Sequence, residues 1–164
     1  MGHHRLDMKD RRRGGTLVEF ALVSPLLLML CMGATDFGRL FYHAVITSNA
    51  AGVGAFHGAQ NNVTAGQTGL MEWKAEEEAS NLPAADTTAT ADSFCDCPNN
   101  PATEASDGSL QNTVNCLNAT ACGTYGAPRG FVRVRATNSF QTLGPYPGIP
   151  YTTQINRHGF MRVE

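Results

Sequence analysis

The sequence predicts an α+β protein: a long N-terminal helix, transmembrane then amphipathic, packed on a small antiparallel sheet with a disulfide-stapled loop. Three observations predict it. Thr16 to Thr35 is an apolar run with Glu19 as its only charge. Phe131 to Thr137 alternates apolar and polar residues, the pattern of a half-buried strand. Cys95, Cys97, Cys116 and Cys122 fall in a turn-rich stretch without periodicity.

The helix comes first in the chain. At 1.5 Å per residue, twenty helical residues span about 30 Å, the thickness of a bilayer core. Arg5, Lys9, Arg11, Arg12 and Arg13 precede the run, against Asp7 and Asp10. A basic flank before one apolar span places the N-terminus in the cytoplasm and the rest outside. The average composition hides this. The chain has 164 residues, 42% of them hydrophobic and 16% charged, with a formal net charge of -2. Those values oppose a charge-rich disordered tail, a strongly basic nucleic-acid binder and a protein of many spans. Removing residues 1–14 takes away five bases and two acids and leaves seven bases against twelve acids.

Three processing fates follow from the residues around the run. Secretory cleavage needs small residues before the cut, and Met32-Gly33-Ala34 is bulky at the first of them. Lipidation needs a small residue before the cysteine, but Leu30 precedes Cys31. Cleavage on the cytoplasmic side, leaving the span in the mature chain, suits Arg13-Gly14-Gly15-Thr16-Leu17-Val18-Glu19-Phe20. This segment resembles the leader of type IV pilins and pseudopilins. The continuation through Asp36-Phe37-Gly38-Arg39 to Asn49-Ala50-Ala51 resembles, more narrowly, the TadE-like proteins of tight-adherence pili. Gly52-Val53 departs from that pattern, where relatives often carry an Arg. The ending Gly159 to Glu164 is a weaker likeness.

The resemblance implies a cut between Gly14 and Gly15 by a prepilin peptidase, which puts Glu19 at position +5. A carboxylate in hydrocarbon costs on the order of a few kcal/mol. The resemblance supplies a partner: the new +1 amine of Gly15, paired with Glu19 of a neighbouring subunit. The alternative is a carboxylate that snorkels to the interface. Pro25 removes one helix hydrogen bond and favours a kink, which a membrane tolerates. Cys31 reads as a plain apolar residue of the span.

Beyond the span, residues 36–57 continue as a helix, with Phe37, Leu40, Phe41, Ala44, Ile46, Ala51 and Ala55 as an apolar face. Gly33, Gly38, Gly52 and Gly54 allow close packing. Asp36 and Arg39, three apart, are placed to pair. His43 and His57 are four turns apart and cannot share a metal without partners, so each reads as a surface or core histidine. A break at Asn61-Asn62 precedes a second helix, Thr68 to Leu82, with Leu70, Trp73, Ala75, Ala79 and Leu82 turned to the core.

Residues 83–128 read as a long loop with at most short strands. Four cysteines outside the cytoplasm imply two disulfides. A Cys95–Cys97 bond closes too small a ring. That leaves Cys95–Cys116 with Cys97–Cys122, or Cys95–Cys122 with Cys97–Cys116. The strand at Phe131–Thr137 pairs with Ser139–Leu143 or with Asn156–Val163. Residues 72–107 carry nine acids against Lys74, and Arg129, Arg133, Arg135, Arg157 and Arg162 follow. The two groups attract within a subunit or between subunits.

The expected organisation is a cytoplasmic leader (1–14), the transmembrane part of the helix (15–35), its extramembrane continuation (36–60) and a small extracytoplasmic α+β domain (61–164). No nucleophile, metal-ligand or phosphate-loop pattern stands out. The expectation is a structural subunit: no enzyme, no catalytic residues, no metal, no cofactor and no nucleic acid. Its partners would be prepilin peptidase, other pilin subunits in a helical homo- or hetero-assembly, the assembly machinery, and a membrane crossed once. The place expected is the bacterial inner membrane with a periplasmic C-terminal domain, then the pilus or cell surface. The alternative is a single-span anchored periplasmic binding domain.

Overall fold

The computed structural model of the chain describes residues 11–82, 87–118, 120–146 and 148–163, with side chains from Gly15 onward. Most of the leader (1–10), Asp86 of the acidic group and Glu164 of the tail lie outside the described residues. The chain divides into two units, Met1–Arg39 and Leu40–Glu164. Helix α1 (Arg11–Ala59) runs through the division.

In the first unit α1 is helical from Arg11, and the apolar side chains from Leu17 to Met32 are exposed. Leucine and methionine are strong helix formers, so the run is helical by propensity. Pro25 lies inside the helix and has no N–H for the Ala21 carbonyl. Ser24 Oγ stands 3.5 Å from that carbonyl and offers a substitute donor. Arg39 donates to Asp36 Oδ1 at 2.9 Å, as their spacing predicts.

In the second unit the rest of α1 is followed by α2 (Asn62–Ala65) and α3 (Thr68–Glu78). Strands β1 (Thr87–Asp96), β2 (Thr103–Glu104), β3 (Leu110–Gln111), β4 (Arg129–Gln141) and β5 (Thr152–Arg162) come next. The main sheet is antiparallel with order β1-β4-β5, and β2 and β3 form a small hairpin. The fold is therefore α+β, a helix packed on a small antiparallel sheet, with two disulfides in the loop region.

Packing is decided by small residues. His43, Thr47, Ala50, Ala51, Gly54, Ala55 and Gly58 of α1 are buried at three- and four-residue spacing. They meet Val132, Val134 and Ala136 of β4, all fully buried. A Cβ on Gly54 would lie 2.8 Å from the Met71 carbonyl and 3.1 Å from Val134 Cγ1. On Gly159 of β5 it would collide with the Ala51 carbonyl. The absent side chains let backbones approach and let Met71 fill the space over Gly58.

Several expectations are corrected here. Phe41 was expected in the buried face of α1 and is exposed, whereas Ala51 and Ala55 are core. Trp73 was expected in the core and is 51% exposed, with Lys74 Nζ 4.4 Å from its ring centre. Of the expected stripe Ala75, Ala79 and Leu82 are buried and Leu70 is exposed like Trp73; Met71 is buried in their place, because the glycine-lined face of α1 admits only slender groups. The second helix ends at Glu78 and passes into a 3-10 turn, Ala79–Asn81. The break before it contains α2, whose N-cap Asn61 accepts from Val63 and Thr64 N–H in a capping box.

The stretch expected as a loop begins with a ten-residue strand, β1, paired along its length with β4. Its inward residues include Thr87, Ala89 and Ala91, too small to raise an apolar signal. The two pairing options for residues 131–137 have one outcome. Ser139 to Gln141 continue β4, and β5 pairs with β4 from Phe131↔Arg162 to Gln141↔Thr152.

Candidate functional site

Two regions carry features that could serve a function: the apolar anchor in the first unit and the strapped sheet in the second.

Among the described residues, α1 is the one helix long and apolar enough to cross a membrane. None of its apolar window is buried. Gly14 and Gly15 lie in its first turns, and a Cβ on Gly15 would meet open space. Glu19 is exposed and has no hydrogen-bond or ion-pair partner among the described residues. Cys31 is exposed and outside any disulfide.

The strap begins at the end of β1. Cys95 bonds Cys116, and Cys97 bonds Cys122. This selects one of the two pairings the spacing left open. The Val114 N–H donates to the Cys95 carbonyl at 2.9 Å, so the loop returns to the strand it left. Between these staples the β2–β3 hairpin lies over the outward face of the sheet. At its tip the backbone N–H of Ser109 (2.9 Å) and its hydroxyl (2.7 Å) donate to Asp107 Oδ1. These two bonds hold the Asp107 carboxyl below its ordinary pKa, the backbone bond contributing most.

Arginines of β4 pin the hairpin. Arg133 donates to Asp92 Oδ2 through Nε at 3.1 Å and to the Gly108 carbonyl through NH1 at 2.9 Å. Arg135 donates to the same carbonyl at 2.8 Å and pairs with Glu104. His158 Nδ1 stands 3.4 Å from the other Glu104 oxygen. Arg129 pairs with the buried Asp96 at 3.0 Å. The acidic middle and the basic residues of β4 therefore attract within one subunit. Alternation puts Arg133 and Arg135 on one face, and that face is closed by the hairpin.

Facing α1, the inward side of the sheet holds one buried polar pair. His43 Nδ1 lies 2.7 Å from Asn138 Oδ1, and Asn138 Nδ2 donates to Thr87 Oγ1 at 2.8 Å. An amide oxygen only accepts, so His43 carries its proton on Nδ1. The ring of Phe140 meets His43 edge-on at 5.2 Å. His57 is remote from this pair. Among the described residues no group of three or more His, Cys, Asp and Glu could hold a metal ion.

The two outer strands of the sheet differ at their edges. In β1 the Ala91 N–H donates to Glu72 Oε1 (2.9 Å) and the Ala89 N–H to Glu76 Oε1 (3.2 Å). Both acceptors are on α3, four residues apart. Nothing in the run Glu76-Glu77-Glu78 itself announces this use of Glu76. Only the alternate exposure of N–H groups along β1 gives it away, and β1 itself was not legible. Along β5 Arg157 NH1 donates to the outward Asn156 carbonyl at 3.0 Å, and no described residue accepts from an outward N–H.

Residues 14–55 match the family model described as TadE-like protein. The match covers about a quarter of the chain and includes Gly14, Gly15, Glu19 and Pro25. No curated protein and no solved structure matches the chain.

Proposed function

From a TadE-like N-terminal segment on a single apolar helix, we propose a pilin-like structural subunit without turnover. In this reading prepilin peptidase cuts between Gly14 and Gly15 on the cytoplasmic side. Residues 15–35 then hold the protein in the inner membrane, with the second unit in the periplasm. Assembly transfers the helix from lipid to a helix bundle in, or at the tip of, a tight-adherence pilus. Glu19 pairs there with the Gly15 amine of a neighbour, which removes two charges from an apolar surroundings.

The observation that carries the reading is the apolar exterior of the helix, found together with the TadE-like match. Leucines and methionines between Leu17 and Met32 are bare. In the second unit Tyr42, Val45, Val53 and Phe56 of the same helix are also exposed, beyond the length a bilayer needs. Apolar side chains on both stretches suit a helix that exchanges lipid for other helices.

N-terminal mass spectrometry of the membrane-extracted protein tests the processing. A mature chain starting at Gly15 is expected. An intact Met1 supports an anchored binding domain instead, and a start beyond Ala34 a freed one. Glu19→Ala is expected to leave cleavage unchanged and to abolish recovery of the chain in sheared filaments. Normal recovery of that variant would refute the pairing role.

A further inference from the structure

We infer that the outer edge of β5 is a docking edge for an extended, acidic segment of another protein, which adds to the sheet as a further strand.

The hydrogen-bond parity of β5 is fixed at both ends. The Val163 N–H donates to the Gly130 carbonyl (2.9 Å), and the Thr142 N–H to the Tyr151 carbonyl (3.1 Å). With the register between them, odd-numbered residues of β5 bond to β4. The N–H groups of Gln154, Asn156, His158 and Phe160 therefore point away from the sheet, and no described residue accepts from them. An unpaired strand edge is a template for another strand. On the opposite edge Glu72 and Glu76 accept from two outward N–H groups of β1, those of Ala91 and Ala89, whereas no described residue does so along β5.

Charge selects the occupant. Strand β5 carries Arg157, His158 and Arg162 and no acid. A second β5 laid against it brings the same basic groups and no acid, so the pairing gains no opposite charge. Of the chain's own acids near the sheet, Glu72 and Glu76 are engaged by β1, and Asp92, Asp96 and Glu104 by arginines of β4. An acidic strand from a different protein meets neither obstacle. At the end of the edge a groove of about 460 Å³, lined by Phe56, Ala59, Gln60, Met161 and Arg162, gives an apolar side chain a seat. Main-chain bonds supply affinity in such an addition, and side-chain pockets supply selectivity. None of this depends on the assembly role proposed above.

The test uses the full chain in detergent micelles and a fluorescein-labelled ten-residue peptide of valine and threonine with three glutamates. Its controls are the same peptide N-methylated at alternate amides, in both registers, and a lysine-for-glutamate version. The glutamate peptide is expected to bind, and to slow amide exchange at Asn156 and His158 at least tenfold. One N-methylated register and the lysine peptide are expected to bind at least tenfold more weakly. Asn156→Pro removes an outward N–H, keeps the backbone ladder to β4 and loses the Thr137 Oγ1–Asn156 Oδ1 bond, and should weaken binding to the same degree. The double variant Arg157→Glu, Arg162→Glu should do so too, and answers the question if the proline variant misfolds. Failure of the glutamate peptide to bind, or equal binding by both N-methylated registers, overturns the inference. Self-association of the chain that Asn156→Pro abolishes would assign the edge to a second copy and overturn it equally.

Discussion

Asn138 is the residue on which two sides of the second unit meet. Its amide oxygen faces His43 of α1, and its amide nitrogen faces Thr87 of β1. It is fully buried. In a core this size a buried imidazole needs a partner, because an unsatisfied polar group costs about 1–3 kcal/mol. Asn138→Ala should therefore lower stability by about 2–3 kcal/mol, from the stranded His43 and the lost packing together. Denaturant unfolding of the full chain in micelles checks this. Adding His43→Leu to Asn138→Ala removes the stranded group and should recover part of the loss. If the double variant is no more stable than the single one, the pair is not where the cost lies. Residues of this kind were half legible. The sequence placed His43 on a helix as a surface or core histidine. Its partner lies 95 positions away, and no spacing rule connects the two.

Elements were legible in proportion to the contrast between their two faces. The alternation from Phe131 to Thr137 marked β4 because valines and arginines differ sharply. Strand β1 escaped notice because its inward residues include alanines and a threonine, which hardly differ from its outward ones. Helix α3 was found with Ala75, Ala79 and Leu82 inside as expected, but Trp73 was placed in the core and Met71 was not, since Trp73 is the larger apolar residue. Which one goes inside was decided across the interface by Gly54 and Gly58 of α1. The disulfide pairing was narrowed to two options by ring size, and the sheet chose between them. Of the candidate site, Glu19 and the glycines were legible from family likeness, whereas the open edge of β5 needed a register. The covered edge of β1 makes a prediction at this scale. Replacing Glu72 and Glu76 by Ala removes the acceptors for Ala91 and Ala89 without emptying the core. Amide exchange at those two positions should accelerate at least several-fold, while exchange at Val132 and Val134 in the central strand stays unchanged. Equal acceleration in both strands would mean that the glutamates support the whole unit and not one edge.

At the scale of the whole molecule, charge and oxidation are linked through topology. The proposed function has the second unit leave the cytoplasm, and the basic N-terminal flank, the apolar run and the four paired cysteines support that reading. Disulfides Cys95–Cys116 and Cys97–Cys122 close loops of 21 and 25 residues in sequence separation, for which the chain-entropy estimate gives about 3 kcal/mol each. They hold the hairpin that Arg133 and Arg135 pin. Arg133 is 7% exposed, so without the hairpin it would lose the Gly108 carbonyl and Glu104 and keep only Asp92. Orientation in the membrane should therefore decide whether the sheet is strapped. Lysine and arginine next to a span set its direction. Changing Arg11, Arg12 and Arg13 to Glu removes most of that signal while leaving the apolar run and the second unit untouched in sequence. In the parent protein, maleimide labelling after solubilisation in SDS without reductant should reach Cys31 alone, since the other four cysteines are bonded. In the charge-reversed variant the second unit should stay in the reducing cytoplasm, and five thiols should label. A variant that still protects Cys95, Cys97, Cys116 and Cys122 would show that the leader charges do not set the orientation.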